Sequence, residues 1–102
     1  MSMRLIARSS IADYYAKHPT SKVSLENFTA MVKAAKWQSM NDVQQASSAA
    51  KPLNAVRAKF EIGGGNFRLI AAFNFPYQIA YVKFIGTHAE YDKIDALTVS
   101  MF

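Results

Sequence analysis

The feature that most constrains the fold of this chain is a change of hydrophobic period near its middle. Between about residues 20 and 36, apolar residues recur at helical spacing, whereas from Val56 onward they alternate with polar residues. A period near 3.6 is typical of an amphipathic helix, and a period of two is typical of a strand with one buried face. The sequence therefore predicts that helices fill most of the first half and strands fill the second half.

Capping residues, prolines and glycines divide the first half into elements. The predicted elements are a strand at Met3–Ala7, a helix capped by Ser9-Ser10 that ends before His18-Pro19, an amphipathic helix from about Thr20 to Lys36, a shorter helix capped by Asn41-Asp42, and a connection over Ser47–Pro52. This order places a strand before the helices.

The second half predicts three consecutive strands. They cover Val56–Ile62, Asn66–Phe73 and Gln78–Ile85, and they are separated by three glycines and by the turn-forming sequence Asn74–Tyr77. With 102 residues, the chain has room for one core. We therefore predict a single α+β domain, residues 1–102, in which the N-terminal strand and the helices pack on one face of a small antiparallel β-sheet.

Composition narrows the class of protein. Hydrophobic residues make up 51% of the chain and charged residues 19%, which is typical of a globular protein. With no cysteine and two histidines, neither a disulfide framework nor a structural zinc site is expected, and no cofactor is implied. The sequence shows neither an apolar run of about 20 residues nor a secretory signal, so we predict a cytoplasmic protein that does not enter a membrane.

Charge points to the kind of partner. Twelve lysines and arginines against seven acidic residues give a net charge of +5. Such a charge attracts RNA, DNA or an acidic protein, although it can also serve solubility alone. The positions of the cations therefore matter more than their number.

The register of the strands can be predicted from their faces, because a slip of one residue would turn every side chain to the opposite face. A two-residue turn at Gly63-Gly64 would pair Ile62 with Gly65. A four-residue loop would pair Phe73 with Gln78. Both hairpins place their apolar residues on one common face.

This register predicts a row of cations on the other face. Lys59 would lie opposite Arg68, and Arg68 opposite Lys83, with Arg57 and Tyr81 close by. Like charges placed opposite each other destabilise a sheet, so folding does not favour the row. A bound phosphate would remove the repulsion, and an arginine can hold it in bidentate fashion. The alternative is a solvated face with a neighbouring carboxylate as compensation.

A second group of candidate residues follows the last strand. Thr87 and Glu90 have the spacing of a capping box, so a helical turn is expected to begin at Thr87. His88 and Tyr91 in this turn are each able to move a proton beside a phosphate. Their alternative role is packing, and their predicted position beside the cations favours the functional interpretation.

The chain resembles the HigB family of toxins. The stretch Tyr81–Asp95, YVKFIGTHAEYDKID, is similar to the C-terminal signature of that family, and Gly65–Ile70 to its G-N-x-[YF]-R-L strand. Met3–Ala7, Ala35-Lys36-Trp37, and Tyr14 with His18-Pro19 are similar to the N-terminal pattern. The resemblance covers essentially the whole chain, while the three glycines make its first hairpin loop one residue longer than the usual pattern.

The resemblance implies a RelE-like fold and a type II toxin that cleaves mRNA in the ribosomal A site without a metal ion. It implies a separately encoded, HigA-like helix-turn-helix antitoxin, which the positive charge would attract if it is acidic. By position, the implied catalytic residues are Lys59, Arg68, His88 and Tyr91, and the implied RNA-binding residues are Arg57, Asn66, Lys83, Asp92 and Lys93. The alternative function is that of a toxin of the same fold that binds DNA gyrase and has no nuclease site.

Overall fold

The computed structural model describes residues 2–102 and confirms the predicted α+β class. Its strands and helices are, in chain order, β1 (Arg4–Ile6), α1 (Arg8–Lys17), α2 (Lys22–Ala34), α3 (Met40–Ala46), β2 (Ala50–Pro52), β3 (Arg57–Ile62), β4 (Phe67–Asn74), β5 (Ile79–Thr87) and α4 (His88–Tyr91). One-turn 3-10 helices occur at Pro19–Ser21 and Gly63–Gly65.

Several boundaries differ from the predicted ones. The helix α1 begins at Arg8 without a side-chain cap, so Ser9-Ser10 lies inside it. The cap of α3 is Ser39, whose hydroxyl accepts a hydrogen bond from the Asp42 N–H at 3.4 Å. Part of the predicted connection forms the strand β2, which tolerates Pro52 because it lies at an edge of the sheet.

The five strands form one sheet in the order β1-β5-β4-β3-β2. The strands β3 to β5 pair in antiparallel fashion, as predicted, and β2, which was not predicted, pairs with β3 in the same way. The strand β1 lies within the sheet and pairs with β5 in parallel, so the sheet is mixed. A parallel neighbour requires a long crossover, which α1, α2 and α3 provide together with the later strands. The N-terminal strand therefore extends the meander at the edge that β5 would otherwise expose.

The main core lies between the helices and the first face of the sheet, which alternate residues of β3, β4 and β5 form. Leu25 and Val32 of α2 are fully buried there, as are Leu69 and Ala71 of β4. The Phe28 ring meets the Phe60 ring edge to face, with 4.9 Å between their centroids. Aromatic pairs of this kind stabilise a core beyond their buried area.

The predicted register of both hairpins is wrong. Ile62 pairs with Phe67, because the glycines and Asn66 form a four-residue connection with positive φ angles at Gly63, Gly64 and Gly65. Phe73 pairs with Ala80. Each hairpin is displaced by two residues at its turn, so the side chains of β3, of β4 and of β5 up to Val82 keep their predicted faces but change their neighbours. An irregularity in β5 at Lys83 makes the displacement odd beyond that point, so Ile85 lies in the core and Phe84 on the opposite face of the sheet.

Candidate functional site

The second face of the sheet carries the predicted site residues in an arrangement that differs from the predicted row of cations. Three rows cross it from β3 to β5, namely Arg57–Ala72–Tyr81, Lys59–Ile70–Phe84 and Glu61–Arg68–Gly86. Lys59 therefore lies opposite Ile70, and Arg68 lies between Glu61 and Gly86. A bulge in β5 displaces Lys83 from the pairing. The predicted row Lys59–Arg68–Lys83 does not form.

The short helix α4 closes one end of this face, and the predicted capping box holds it in place. The Thr87 N–H donates to Glu90 Oε1 at 2.8 Å, and the Glu90 N–H donates to Thr87 Oγ1 at 3.1 Å. The hydrogen bond from the Thr87 backbone lowers the pKa of Glu90, and the hydrogen bond with the Thr87 side chain and the nearby Lys93 ammonium lower it further. The His88 N–H also donates to the Asn66 carbonyl at 3.2 Å, which ties α4 to the glycine connection.

Lys59 and Tyr91 meet where α4 faces β3. The Lys59 ammonium lies 5.4 Å from the centroid of the Tyr91 ring, within the range of a cation–π contact. The same ring lies edge to face against Phe84, with 6.1 Å between centroids. Phe84 is buried, so it provides a fixed surface against which the Tyr91 ring packs. The structure thus brings together a cation and a phenol from two distant parts of the chain.

His88 and Asp92 form the outer edge of the same surface. His88 Nδ1 lies 3.7 Å from Asp92 Oδ1, one helical turn away, and both side chains are more than half exposed. Asn66 and Lys93 are exposed as well. The imidazole can therefore exchange protons with a ligand while a carboxylate stands beside its other nitrogen.

Arg68 is buried, which the sequence did not predict. Its side chain is 8% exposed, and its Nη1 donates hydrogen bonds to the carbonyls of Gly65 and Phe67. Its Nε is buried and has no hydrogen-bond partner in the part of the chain that the structure describes. Arg68 thus fixes the end of the glycine connection and places its positive charge beneath the surface next to α4.

The C-terminal segment lies over the other end of the second face, and sequence reasoning missed this contact. Arg57 Nη1 donates to the carbonyls of Ala96 and Val99 at 3.1 and 2.9 Å, and the Met101 N–H donates to the Lys83 carbonyl at 2.9 Å. Lys83 also lies over the Tyr81 ring, with its ammonium 5.3 Å from the centroid. Arg57 and Lys83 therefore lie beside the group formed by Lys59, Tyr91 and His88 instead of within it.

A group of aromatic residues behind α4 was also missed. The rings of Tyr14 and His18 stack with 4.1 Å between centroids, and both meet Phe67 edge to face. Burial raises the pKa of Tyr14, and the nearby charge of Glu90 raises it further. The Tyr14–His18 spacing of one helical turn was the sequence signal for this stack.

The assembled surface, which we call the α4 surface, consists of Lys59, Tyr91, His88, Asp92 and the buried charge of Arg68. It offers positive charge and two groups able to transfer protons. Within residues 2–102, no three His, Asp or Glu side chains come together in a way that could hold a metal ion. In the same part of the chain, no helix is both long enough and apolar enough to cross a membrane.

Comparison with known proteins relates this chain to toxins. Residues 21–94 match the sequence model of the HigB toxin family, described as a RelE-like toxic component of a toxin–antitoxin system. The chain is 31% identical over 98 residues to the "mRNA interferase toxin HigB" of Escherichia coli K12, covering 93% of each protein. It is 27% identical over 95 residues to the "mRNA interferase HigB" of Escherichia coli O6:H1, covering 90% of this chain and 91% of that protein.

The family match covers most of the chain, and the relatives align with nearly its full length, including the α4 surface. The chain belongs to the HigB toxin family, whose members are the toxic components of toxin–antitoxin systems.

Proposed function

We propose that this toxin is a metal-independent endoribonuclease that cleaves mRNA on translating ribosomes. The observation that carries the proposal is the convergence of Lys59 with Tyr91 and His88 on the α4 surface. The relatives named mRNA interferases support the choice of substrate.

The reaction needs one base, one acid and positive charge. The 2′-hydroxyl loses its proton to the base and attacks phosphorus, and the bond to the 5′-oxygen breaks as the acid protonates that oxygen. The products are a 2′,3′-cyclic phosphate and a 5′-hydroxyl. His88 and Tyr91 act as the two proton carriers, with either assignment possible, and each contributes about 10² to 10⁴ in rate.

Lys59 and Arg68 stabilise the charge that grows on the phosphate. The Lys59 ammonium is able to approach a phosphate bound beside the Tyr91 hydroxyl, while Arg68 acts from beneath the surface. Loss of such stabilisation typically costs about 10² to 10³ in rate. Asp92 orients the His88 imidazole through its Nδ1 side, which leaves Nε2 free to meet the RNA.

The remaining residues hold the message. Asn66 and Lys93 flank α4 on its exposed side, while Arg57 and Lys83 lie along the path toward the C-terminal segment. Arginine has five N–H donors, so Arg57 retains donors for a phosphate after holding Ala96 and Val99. The ribosomal A site would position the message on this surface, a contribution that the protein need not make itself.

A toxin of a toxin–antitoxin system has an antitoxin as its partner. We propose that this partner is an acidic helix-turn-helix protein of the HigA kind, encoded by a neighbouring gene, and that both proteins act in the cytoplasm. The net charge of +5 would speed their association.

The test is induced expression in bacteria with separate measurement of translation and DNA replication, followed by mapping of mRNA 5′ ends. Translation should stop first, and new 5′ ends should appear within coding regions. Early loss of replication with intact mRNA would contradict the proposal and indicate a target such as DNA gyrase.

The site is tested by Tyr91→Phe, His88→Ala and Lys59→Ala, each of which should relieve toxicity and slow cleavage by about 10² or more. The matched controls are Tyr77→Phe, because Tyr77 is 75% exposed in the β4–β5 loop, and Lys22→Ala on α2. The controls should remain toxic. If the three site variants are folded by circular dichroism and cleave mRNA as fast as the parent, the assignment of the α4 surface fails.

A further inference from the structure

A groove with a volume of about 610 Å³ lies between α1 and α2. It runs from Tyr15 and Glu26 at one end to Arg8 and Lys33 at the other. The helices pack on the first face of the sheet, whereas the α4 surface is on the second face. The groove is therefore remote from the proposed site of RNA cleavage.

One end of the groove is strongly positive. Arg8 and Lys33 also line an adjoining depression together with Arg4, and all three side chains are exposed. The single ion pair found within residues 2–102 joins His88 to Asp92, so none of these cations has an acidic partner. Arg8 lies in the first turn of α1, where a helix disfavours positive charge, and that turn has no acidic residue. Stability does not explain this cluster.

The floor of the groove is apolar, and small side chains line it. Ile11 is buried beneath it, and the small side chains of Ala12 and Ala30 line its two walls. Val23, which is 69% exposed, continues the same stripe of α2 at helical spacing from Glu26 and Ala30. Small residues at facing positions of two helices allow a third backbone to approach closely.

We propose that this groove binds the antitoxin through an amphipathic helical segment that carries apolar residues and carboxylates. The apolar side chains would lie over Ala12 and Ala30, and the carboxylates would pair with Arg8, Lys33 and Arg4. A helix of about ten residues, about 15 Å long, would match the length of α1. The inference rests on the proposed antitoxin and adds the surface and the chemistry by which it is recognised.

The shape of the groove favours a protein segment over RNA. The apolar floor between the two helices favours a partner that covers it with apolar side chains, because burial of apolar surface is favourable. A phosphate backbone has no such side chains. The positive charge is confined to one end, and Glu26 lies at the other. An RNA strand along the groove would meet that carboxylate, whereas a helix with one acidic end would not.

The charge is tested by Lys33→Glu, with Lys17→Glu as its matched control. Both lysines are exposed in the last turn of a helix, so both reversals disturb a helix end equally, but only Lys33 lines the groove. Binding of the purified antitoxin encoded beside this gene is measured by calorimetry. We expect Lys33→Glu to weaken it by about tenfold or more and Lys17→Glu to leave it nearly unchanged.

The apolar floor is tested by Ala30→Trp, with Ala16→Trp as its control. Both alanines are exposed, so neither tryptophan enters the core, but only the first fills the groove. Both groove variants, Lys33→Glu and Ala30→Trp, should remain toxic when expressed alone, and co-expressed antitoxin should no longer rescue growth.

Normal antitoxin binding by both groove variants would overturn the inference. So would slower mRNA cleavage on ribosomes without a change in antitoxin binding, because the groove would then contact RNA. If the parent cleaves mRNA but does not bind the neighbouring protein, the proposed nuclease activity stands, whereas the proposed antitoxin and its binding in the groove are both contradicted. If the parent neither inhibits translation nor cleaves mRNA, the proposed function fails independently of antitoxin binding.

Discussion

The Tyr14 side chain combines a ring that packs well with a buried hydroxyl that lowers stability. Its ring stacks on His18 and meets Phe67 edge to face, and its hydroxyl is buried with no hydrogen-bond partner among residues 2–102. A buried unsatisfied hydroxyl costs about 1 to 3 kcal/mol, while the ring itself stabilises the contact between α1 and β4. The free energy of unfolding should therefore rise when only the hydroxyl is removed.

We accordingly expect Tyr14→Phe to raise the melting temperature, by about 4 to 8 °C for each 1 kcal/mol gained in a domain of this size. Tyr77→Phe, which removes an exposed hydroxyl, is the control and should change nothing. A lower melting temperature for Tyr14→Phe would mean that the hydroxyl has a partner in solution.

The same residue predicts a dependence on alkaline pH. Because burial raises the pKa of Tyr14, its neutral form is favoured in the folded state. The stabilisation is complete below the ordinary tyrosine pKa of about 10 and is lost as the pH rises from there through the higher folded value. Thermal melts from about pH 9 to about pH 11 should show a steeper loss of stability for the parent than for Tyr14→Phe.

Among the elements, α4 is the one whose stability bears most directly on the site. It has four residues, so it depends on contacts at its ends, of which the capping box is one. Glu90 supplies half of that box, and its lowered pKa means that its contribution is complete above the ordinary carboxyl pKa and is lost as the pH falls through the lower folded value.

We expect Glu90→Ala to slow cleavage because α4 frays and displaces His88 and Tyr91, while Glu90→Gln should restore much of the rate by keeping the acceptor oxygen. Amide exchange at residues 88–91 should rise in the alanine variant alone. Equal rates for the parent and Glu90→Ala would show that another contact positions α4, such as the bond from the His88 N–H to Asn66.

The C-terminal segment gives a second prediction at this scale. Hydrogen bonds to a charged group contribute about 1.5 to 3 kcal/mol each, and Arg57 makes two with Ala96 and Val99. Arg57→Ala should therefore speed amide exchange at Met101 by about tenfold or more. Lys51→Ala on the edge strand β2 is the control, and an unchanged Met101 amide in Arg57→Ala would show that the segment is held elsewhere.

The elements also show which parts of the fold the sequence can predict. Periodicity located the helices and the strands β3 to β5 within about two residues, because burial of one face requires it. The register of a hairpin depends on its turn. The hydrophobic pattern predicts neither the conformation of the three successive glycines nor the bulge at Lys83. An even displacement kept Lys59 and Arg57 on the predicted face but separated Lys59 from Arg68.

The burial of Arg68 could have been predicted from the apolar pattern of its strand. The strand β4 reads FRLIAAFN and is apolar on both faces, as expected of a strand that is covered on both sides. Ile70, on the second face, is fully buried. The apolar residues after Asp95 could have indicated that the C-terminal segment covers the second face of the sheet. The sequence alone does not show that this segment contacts Arg57.

For the whole molecule, the sheet separates two surfaces with different tasks. The α4 surface on one side has the proposed proton carriers, and the groove between α1 and α2 on the other side has the cations Arg8 and Lys33. If an antitoxin segment binds the groove, inhibition must come from the rest of the antitoxin or from exclusion of the complex from the ribosome. Substitutions on the two sides should therefore affect cleavage and neutralisation independently.

The reaction proposed for the whole molecule also predicts that no transition metal is required. His88 and Asp92 are adjacent on α4, but the chain has no cysteine, and its other histidine stacks on Tyr14 behind α4. Two donors leave a zinc ion short of the three protein ligands of a catalytic site. The cations Lys59 and Arg68 would supply the positive charge that a metal provides elsewhere.

We therefore expect mRNA cleavage on ribosomes to persist in 1,10-phenanthroline, which removes zinc and iron while leaving the magnesium that ribosomes need. Cleavage of a short RNA without ribosomes, where it can be detected, should likewise persist in EDTA. A zinc-dependent nuclease treated in parallel shows that the chelators act. Loss of cleavage in phenanthroline that added zinc restores would mean that His88 and Asp92 are metal ligands, and the assignment of His88 as a proton carrier would have to be withdrawn.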